Sequence, residues 1–289
     1  LYIASEQNLF EPYGVEVDLT IHSDNTLMTE DLQNNDADAA TLTYDEVLRV
    51  VANDIADIKV VIPIDYSSGG DAIVARKEIA GIADLKGKKV GYNFLAPPDI
   101  LMSYALHEKG MTEDDIQPGN IPADEIQSAL ESAKIDAGAT YEPNVSIIER
   151  LGGGNKYHVI FSSKDAPGLI TDTLAFRTDF IEQHPDAVKG VIQGYLDGLA
   201  YLQKEPDEAA KIISMVMGIR ASGVPDELKT VHIPTLEEMP TVFKQSEETT
   251  SLFASGKLIG ELLMKKGAIK TVPVLADTFD ASFVESLLK

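Results

Sequence analysis

The stretch IDYSSGGDAIVAR, residues 64–76, limits the architecture more than any other part of the chain. An apolar run, KVVIPI at Lys59–Ile64, stops at a cluster of Asp, Tyr, Ser and Gly, and a second apolar run, AIVA at Ala72–Ala75, follows at once. Two short apolar runs of this length with turn residues between them read as buried strands. Around them the pattern of strand then helix is repeated. DAAT at Asp38–Thr41 is a small strand followed by a helix over Tyr44–Ala52 with Thr43 as its cap, and DAGAT at Asp136–Thr140 is the same arrangement later in the chain. Val15–Ile21 (VEVDLTI) and Lys88–Tyr92 (KKVGY) also read as strands, as do Tyr157–Phe161 and Thr173–Phe176. Leu1–Phe10, Leu27–Leu32, Asp99–Lys109 and Ile126–Lys134 carry helical spacing. Strands alternating with helices imply an α/β protein with mostly parallel sheets.

From Pro185 onward the pattern is helical. Val188, Val191, Ile192, Tyr195, Leu196, Leu199 and Leu202 form one apolar seam, and Thr249–Lys266 reads as a long amphipathic helix. Two βα sets followed by a helical tail imply two lobes, with the tail packed back on the first. Gly152–Gly154 follow a predicted helix rather than precede one, so they read as its terminator and not as a phosphate loop.

Composition excludes several functions. A net charge of −23 argues against nucleic acid and against anionic lipid. No run of about 18 apolar residues is present. Cysteine is absent, which removes disulfides, thiolate metal sites and cysteine nucleophiles. The five histidines have no metal-ligand spacing, and neither a G-x-S-x-G elbow nor an H-E-x-x-H zinc motif occurs. The expectation is therefore a binding protein rather than an enzyme, with no cofactor and no metal. Leu1–Phe10 reads as a helix already in progress, so an upstream strand and an export signal are expected to precede the sequence given.

Six segments taken in order resemble a known family: YIASEQNLFEPYGVEVDL, DADAATLTYDEVLRV, KVVIPIDYSSGGDAIVAR, IADLKGKKVGYN, DAGATYEPN and SSKDAPGLITDTLAFRTDFIEQHPDAVKGVI. Together they are similar to the nitrate/sulfonate/taurine-type solute-binding proteins of ABC transporters, within the type II periplasmic binding proteins, a class that also holds pyrimidine-precursor binders. The resemblance spans roughly Leu1 to Gly218. It implies a two-lobed α/β type II periplasmic binding protein fold with two hinge crossings, near Ile73–Ala75 and Leu174–Phe176, and a helical C-terminal tail. The lobes would be 1–74 with 177–289, and 75–176. It further implies capture of a small-molecule solute by hinge closure, delivery to ABC permease membrane subunits, a monomer, and a periplasmic or otherwise extracytoplasmic location, lipid-anchored or free. The alternative is the same module serving as the sensor domain of a signalling receptor.

Ligands in open α/β sheets sit outside the carboxyl ends of strands. The expected ligand-binding residues are Thr41, Thr43, Tyr44, Asp65, Tyr66, Ser67, Ser68, Gly69 and Asp71 from one side. Asn93, Tyr141, Glu142 and Asp172 come from the other. Hydroxyls, the amides of Gly69 and Gly70, and free amides at helix starts near Thr43 and Asp99 would donate hydrogen bonds. Thr140–Pro143 resembles the family's Thr-aromatic-Glu-Pro element with tyrosine as the aromatic. The candidate loops carry Asp65, Asp71, Asp99, Glu142 and Asp172 but no Arg, Lys or His. That sign favours a neutral or cationic nitrogen-bearing ligand, stacked on Tyr66 or Tyr141, over a nitrate- or sulfonate-type anion.

Overall fold

The structure is a computed structural model that describes residues 1–22 and 25–289. The chain runs through α1 (Tyr2–Glu6), α2 (Asn25–Asn34), β1 (Ala39–Thr43), α3 (Tyr44–Ala52), β2 (Ile58–Ser67), β3 (Asp71–Arg76), β4 (Lys89–Tyr92), α4 (Pro97–Glu108), β5 (Gln117–Asn120), α5 (Ile126–Glu131), β6 (Ala137–Tyr141), α6 (Asn144–Arg150) and β7 (Tyr157–Ser162). It returns through β8 (Thr171–Arg177), α7 (Thr178–Gln183), α8 (Pro185–Lys204), α9 (Pro206–Met217), α10 (Val224–Glu227), β9 (Val231–His232), α11 (Met239–Val242), α12 (Leu252–Lys265) and α13 (Ser282–Leu287).

Two sheets divide these strands. One has the order β1-β8-β2-β9 and the other β5-β4-β6-β3-β7. The expectation of mostly parallel sheets does not hold. Only β5-β4-β6 pairs in parallel, while β8 lies antiparallel between β1 and β2, and β3 pairs antiparallel with β6 and β7. The reason is topological: β1 and β2 run the same way, but the strand returning from the other lobe enters between them.

The crossings also lie elsewhere than expected. All of β3 belongs to the second sheet and all of β8 to the first. The chain therefore passes between the sheets at residues 68–70 and again at 163–170, not within Ile73–Ala75 or Leu174–Phe176. Those two triplets are buried strand interior, except that Leu174 and Phe176 keep about 3% exposure. Apolar composition marks a strand core here, whereas the polar, glycine-rich SSGG carries the crossing.

Helices α3, α4, α5 and α6 pack on the strands, whereas α1, α8 and α9 pack on one another. In α8 the seam predicted from spacing is real, with Val188, Val191, Ile192 and Tyr195 buried. The predicted Leu1–Phe10 helix is shorter, ending at Glu6 with Asn8 at φ 54°. Val15, Val17 and Leu19 are half-buried and alternate with exposed neighbours, as predicted, but Val15–Ile21 joins no ladder among the described residues. The long helix predicted over Thr249–Lys266 begins at Leu252 as α12, where the Ser251 hydroxyl accepts a hydrogen bond from the Phe253 amide. Gly152, Gly153 and Gly154 all have positive φ just beyond α6, as a helix terminator requires.

Candidate ligand-binding cleft

The ends of β1 and β2 and the start of β8 form one row. Thr43 lies opposite Asp172, and Asp172 lies opposite Asp65. Directly opposed residues of an antiparallel pair hold their Cβ atoms about 5 Å apart, so Asp172 and Asp65 are immediate neighbours. Asp71 opens β3 on the far side of the crossing and is opposed by Tyr141 of β6. Asp71 is buried, and its Oδ1 has no hydrogen-bond partner. Asp45 and Glu46, both buried, sit in the first turn of α3.

Asp65, Asp71, Asp172 and Asp45 share surroundings that disfavour their charged forms. Burial, then Asp71, pushes Asp65 up to about 7. Burial also raises Asp71 to about 6, helped by Asp45 and partly offset by a hydrogen bond with Ser67. Asp172 is raised well above the usual range, first by burial and then by Asp65, Asp71, Glu46 and Asp45. Asp45 rises to about 6 through burial, although Arg49 opposes the shift. Arg49 reaches Asp45 at 3.4 Å and Glu46 at 3.8 Å. Among the described residues, none of Asp65, Asp71 and Asp172 takes part in an ion pair. Three neighbouring carboxyls that no protein cation balances are suited to accepting N–H groups from a ligand.

Two tyrosines stand at these strand ends, Tyr141 opposite Asp71 and Tyr66 next to Asp65 in the chain. Tyr141, at the end of β6, is 46% exposed. Tyr66 is half-buried and stacks against His232 at 4.7 Å between ring centroids. The spacing of His232 in sequence gave no sign of this contact, which forms because β9 pairs with the end of β2.

Other predicted residues are placed differently. Tyr44 is almost fully buried, and its hydroxyl shares a hydrogen bond with Thr278 at 2.8 Å, so it belongs to the first lobe's core. Thr41 is exposed on β1, two residues before the strand ends, and lines a groove with Val15–Thr20 rather than the carboxyl row. Asn93 is half-buried at the end of β4.

The crossing at 68–70 is a buckle, not a set of free donors. The Ser67 hydroxyl accepts from the Asp71 amide at 3.0 Å and shares a hydrogen bond with Ser163 at 2.8 Å. The Gly69 amide donates to the Ser163 hydroxyl at 2.6 Å. The amides of Ser68 and Gly70 both donate to the Thr230 carbonyl, at 2.7 and 3.0 Å, and that of Ser67 to the Ile170 carbonyl. The Ser67 hydroxyl and amide and the Gly69 amide thus tie the two crossings together, while the Ser68 and Gly70 amides hold the first crossing to Thr230.

Side chains also engage the backbone around the helix starts. At α3 the amide of Thr43, the residue before the helix, donates to Glu46 at 3.1 Å. At α4 two of the first positions are Pro97 and Pro98, which have no amide hydrogen. The Asp99 carboxylate accepts the Leu95 amide at 2.8 Å and meets the Lys266 ammonium at 2.8 Å, so Asp99 is neither free nor unpaired. Glu142 caps α6, accepting from the Ser146 amide at 3.0 Å and hydroxyl at 2.9 Å. Lysines distant in sequence are brought to the rim. Besides Lys266, the Lys164 side chain lies over Gly69 at the crossing. The cation-free description thus fits the loops as sequence, and within the assembled cleft it holds for the Asp65–Asp71–Asp172 cluster.

Two sheets joined by two crossings, with the cleft between them, define a type II periplasmic binding protein fold. The periplasmic aliphatic sulphonate-binding protein SsuA of Escherichia coli superimposes with a TM-score of 0.80 at 18% identity, covering 96% of this chain and 87% of that one. The family profile described as NMT1/THI5 like matches residues 1–209, and the chain belongs to that family. A Brucella abortus protein named only as a binding protein is 24% identical over 237 residues, 82% of this chain and 73% of the relative. The taurine-binding periplasmic protein of Escherichia coli is 25% identical over 206 residues, 71% of this chain and 62% of the relative.

Proposed function

We propose that this chain is the extracytoplasmic solute-binding protein of an ABC importer, and that it captures a small nitrogen-bearing organic solute, neutral or cationic, by closing its two lobes. The family and the names of its relatives support the transport role. No helix among the described residues is long and apolar enough to cross a membrane, which agrees with a module that hands its solute to separate permease subunits. The choice of ligand rests on one observation. Asp65, Asp71 and Asp172 converge with no cation of the protein among them, and one buried Asp71 oxygen has no partner. The cluster also spans the crossing: Asp65 and Asp172 stand on one sheet and Asp71 on the other. A ligand that contacts both therefore favours the closed arrangement. Tyr141 and Tyr66 supply faces for a planar or cationic body.

A sulfonate or nitrate would face three carboxyls, and α4 opens with two prolines that have no amide hydrogen to offer it. Relatives named for taurine and aliphatic sulfonates make that alternative the one to test. A thermal-shift screen would set amines, guanidines and aminopyrimidines against nitrate, taurine, alkyl sulfonates and bicarbonate at pH 8. A ligand at about 100 times its Kd adds about 2.7 kcal/mol. A shift with nitrogen bases that Asp172→Asn abolishes is the expected result. A shift with alkyl sulfonates or nitrate that survives Asp172→Asn overturns the ligand assignment.

A further inference from the structure

We propose that Lys266 is an inter-lobe positioning residue: anchored on the first lobe, its ammonium fixes where the start of α4, and with it the second lobe's wall of the cleft, stands. Lys266 caps the C-terminal end of α12, which packs on α3 of the first lobe. Two residues further on, the Ala268 carbonyl accepts from the Asn53 side chain at 3.1 Å, and Asn53 caps the end of α3. The backbone carrying Lys266 therefore belongs to the first lobe on both sides.

Its side chain does not stay there. The ammonium lies 2.8 Å from Asp99 Oδ1 and 2.6 Å from Glu113 Oε1, and both residues belong to the lobe built on the second sheet. Glu113 also accepts the Tyr92 hydroxyl. The ammonium sits 5.8 Å from the Tyr92 ring centroid and 5.4 Å from that of Phe94. Two carboxylates and two aromatic faces surround one cation, a better-coordinated arrangement than the exposed pairs Lys211–Glu208 and Lys229–Asp226, each of which joins residues three apart in the chain. Lys266 is 13% exposed and Asp99 not at all, so the contact is desolvated, and losing one partner leaves a buried charge uncompensated.

The apolar residues of α4 and α12 belong to one continuous core, but the contact between the two helices is incomplete. A cavity of about 200 Å³ opens between them, lined by Ile100, Tyr104, Met111, Leu169, Leu258 and Leu262. Side chains around an unfilled cavity make fewer contacts, so packing there constrains the orientation less than a filled interface would. The directional contact is the charged one. Asp99 transmits it, because its other oxygen holds the Leu95 amide and so the loop from Asn93 to α4.

The absence of cysteine makes a direct test simple. Spin labels at Ser128→Cys on α5 and Glu182→Cys on α7 report the inter-lobe distance distribution by pulsed electron resonance, without ligand. Lys266→Met should broaden or displace the main peak. Lys266→Arg, which keeps a cation, should retain it, and Lys257→Met on the exposed side of α12 should superimpose on the parent. The double variant Lys266→Met/Asp99→Asn removes both charges, so it tests the same contact without leaving Asp99 charged and unpaired. If either folded variant lacking Lys266 superimposes on the parent, the proposal fails. It also fails if both lose their cooperative unfolding transition, since Lys266 would then serve only stability. The measurement needs no ligand, so its outcome is independent of what the cleft binds.

Discussion

Replacing Asp65 with asparagine should make the ligand-free protein more stable, by an amount that grows with pH. The Asp65 carboxyl is held at about 7 against an ordinary 3.8, first by burial and then by Asp71. An acid whose folded pKa lies above its unfolded one binds its proton more tightly when folded. Its contribution is intact below the unfolded value and is lost as pH rises toward the folded value, between about 4 and 7. At 1.36 kcal/mol for each tenfold change in proton affinity, the ionised form costs at most about 4 kcal/mol at pH 8. Asp65 keeps partial contact with water, so we expect about 2 kcal/mol to be recovered by the neutral amide. For a chain of this size that is a rise of about 4–8 °C in the unfolding midpoint. Urea and thermal midpoints of the ligand-free protein at pH 5.5, 7 and 8.5 would measure it, all above the sequence pI of about 4.5. An advantage that stays flat with pH, or a loss at pH 8.5, would refute the idea that crowded carboxyls strain the empty cleft. The same substitution should weaken a cationic ligand, so stability and binding would move in opposite directions.

Affinity for a cationic ligand should fall as pH drops from about 7 to 5, because Asp65 and Asp71 take up protons there, and isothermal titration across that range reads it directly. Glu142→Gln should change affinity less than Asp172→Asn, since both Glu142 oxygens already serve Ser146; a larger effect in the same titration would return Glu142 to the site. Tyr141→Leu should cost a cationic ligand about 0.5–2 kcal/mol, measured as a Kd ratio against Tyr141→Phe. Gly168→Ala should lower the urea midpoint by an amount worth more than about 1 kcal/mol, because the position has φ +76° and an added Cβ would stand 2.3 Å from the Thr250 Cα.

The strand ends that carry the candidate site were legible from residue type and order. Apolar runs ending in Asp, Tyr, Ser and Gly located the strand ends, and the row Thr43–Asp172–Asp65 lies among the residues chosen that way. What each polar group does there was not legible. Ser67, Glu142 and Asp99 have the right types in the right loops, yet Ser163, Ser146 and Lys266 satisfy them. Two of those three partners lie 96 and 167 positions away, read from their residue numbers, so no local pattern could reveal the pairing. Tyr44 illustrates the same limit, since only the position of Thr278 decides that it turns into the core.

The sequence by itself determined the α/β class, the two-lobed repeat, the helical tail and the acidic character of the cleft loops. These follow from periodicity, turn residues and charge, which are properties of neighbouring residues along the chain. The tertiary structure decided the rest: that β8 inserts between β1 and β2, that SSGG is the crossing, and which carboxyls remain without a partner. Those outcomes depend on which distant groups meet once the chain is compact. A buried polar group must find a hydrogen bond or a counter-charge wherever the fold can supply one.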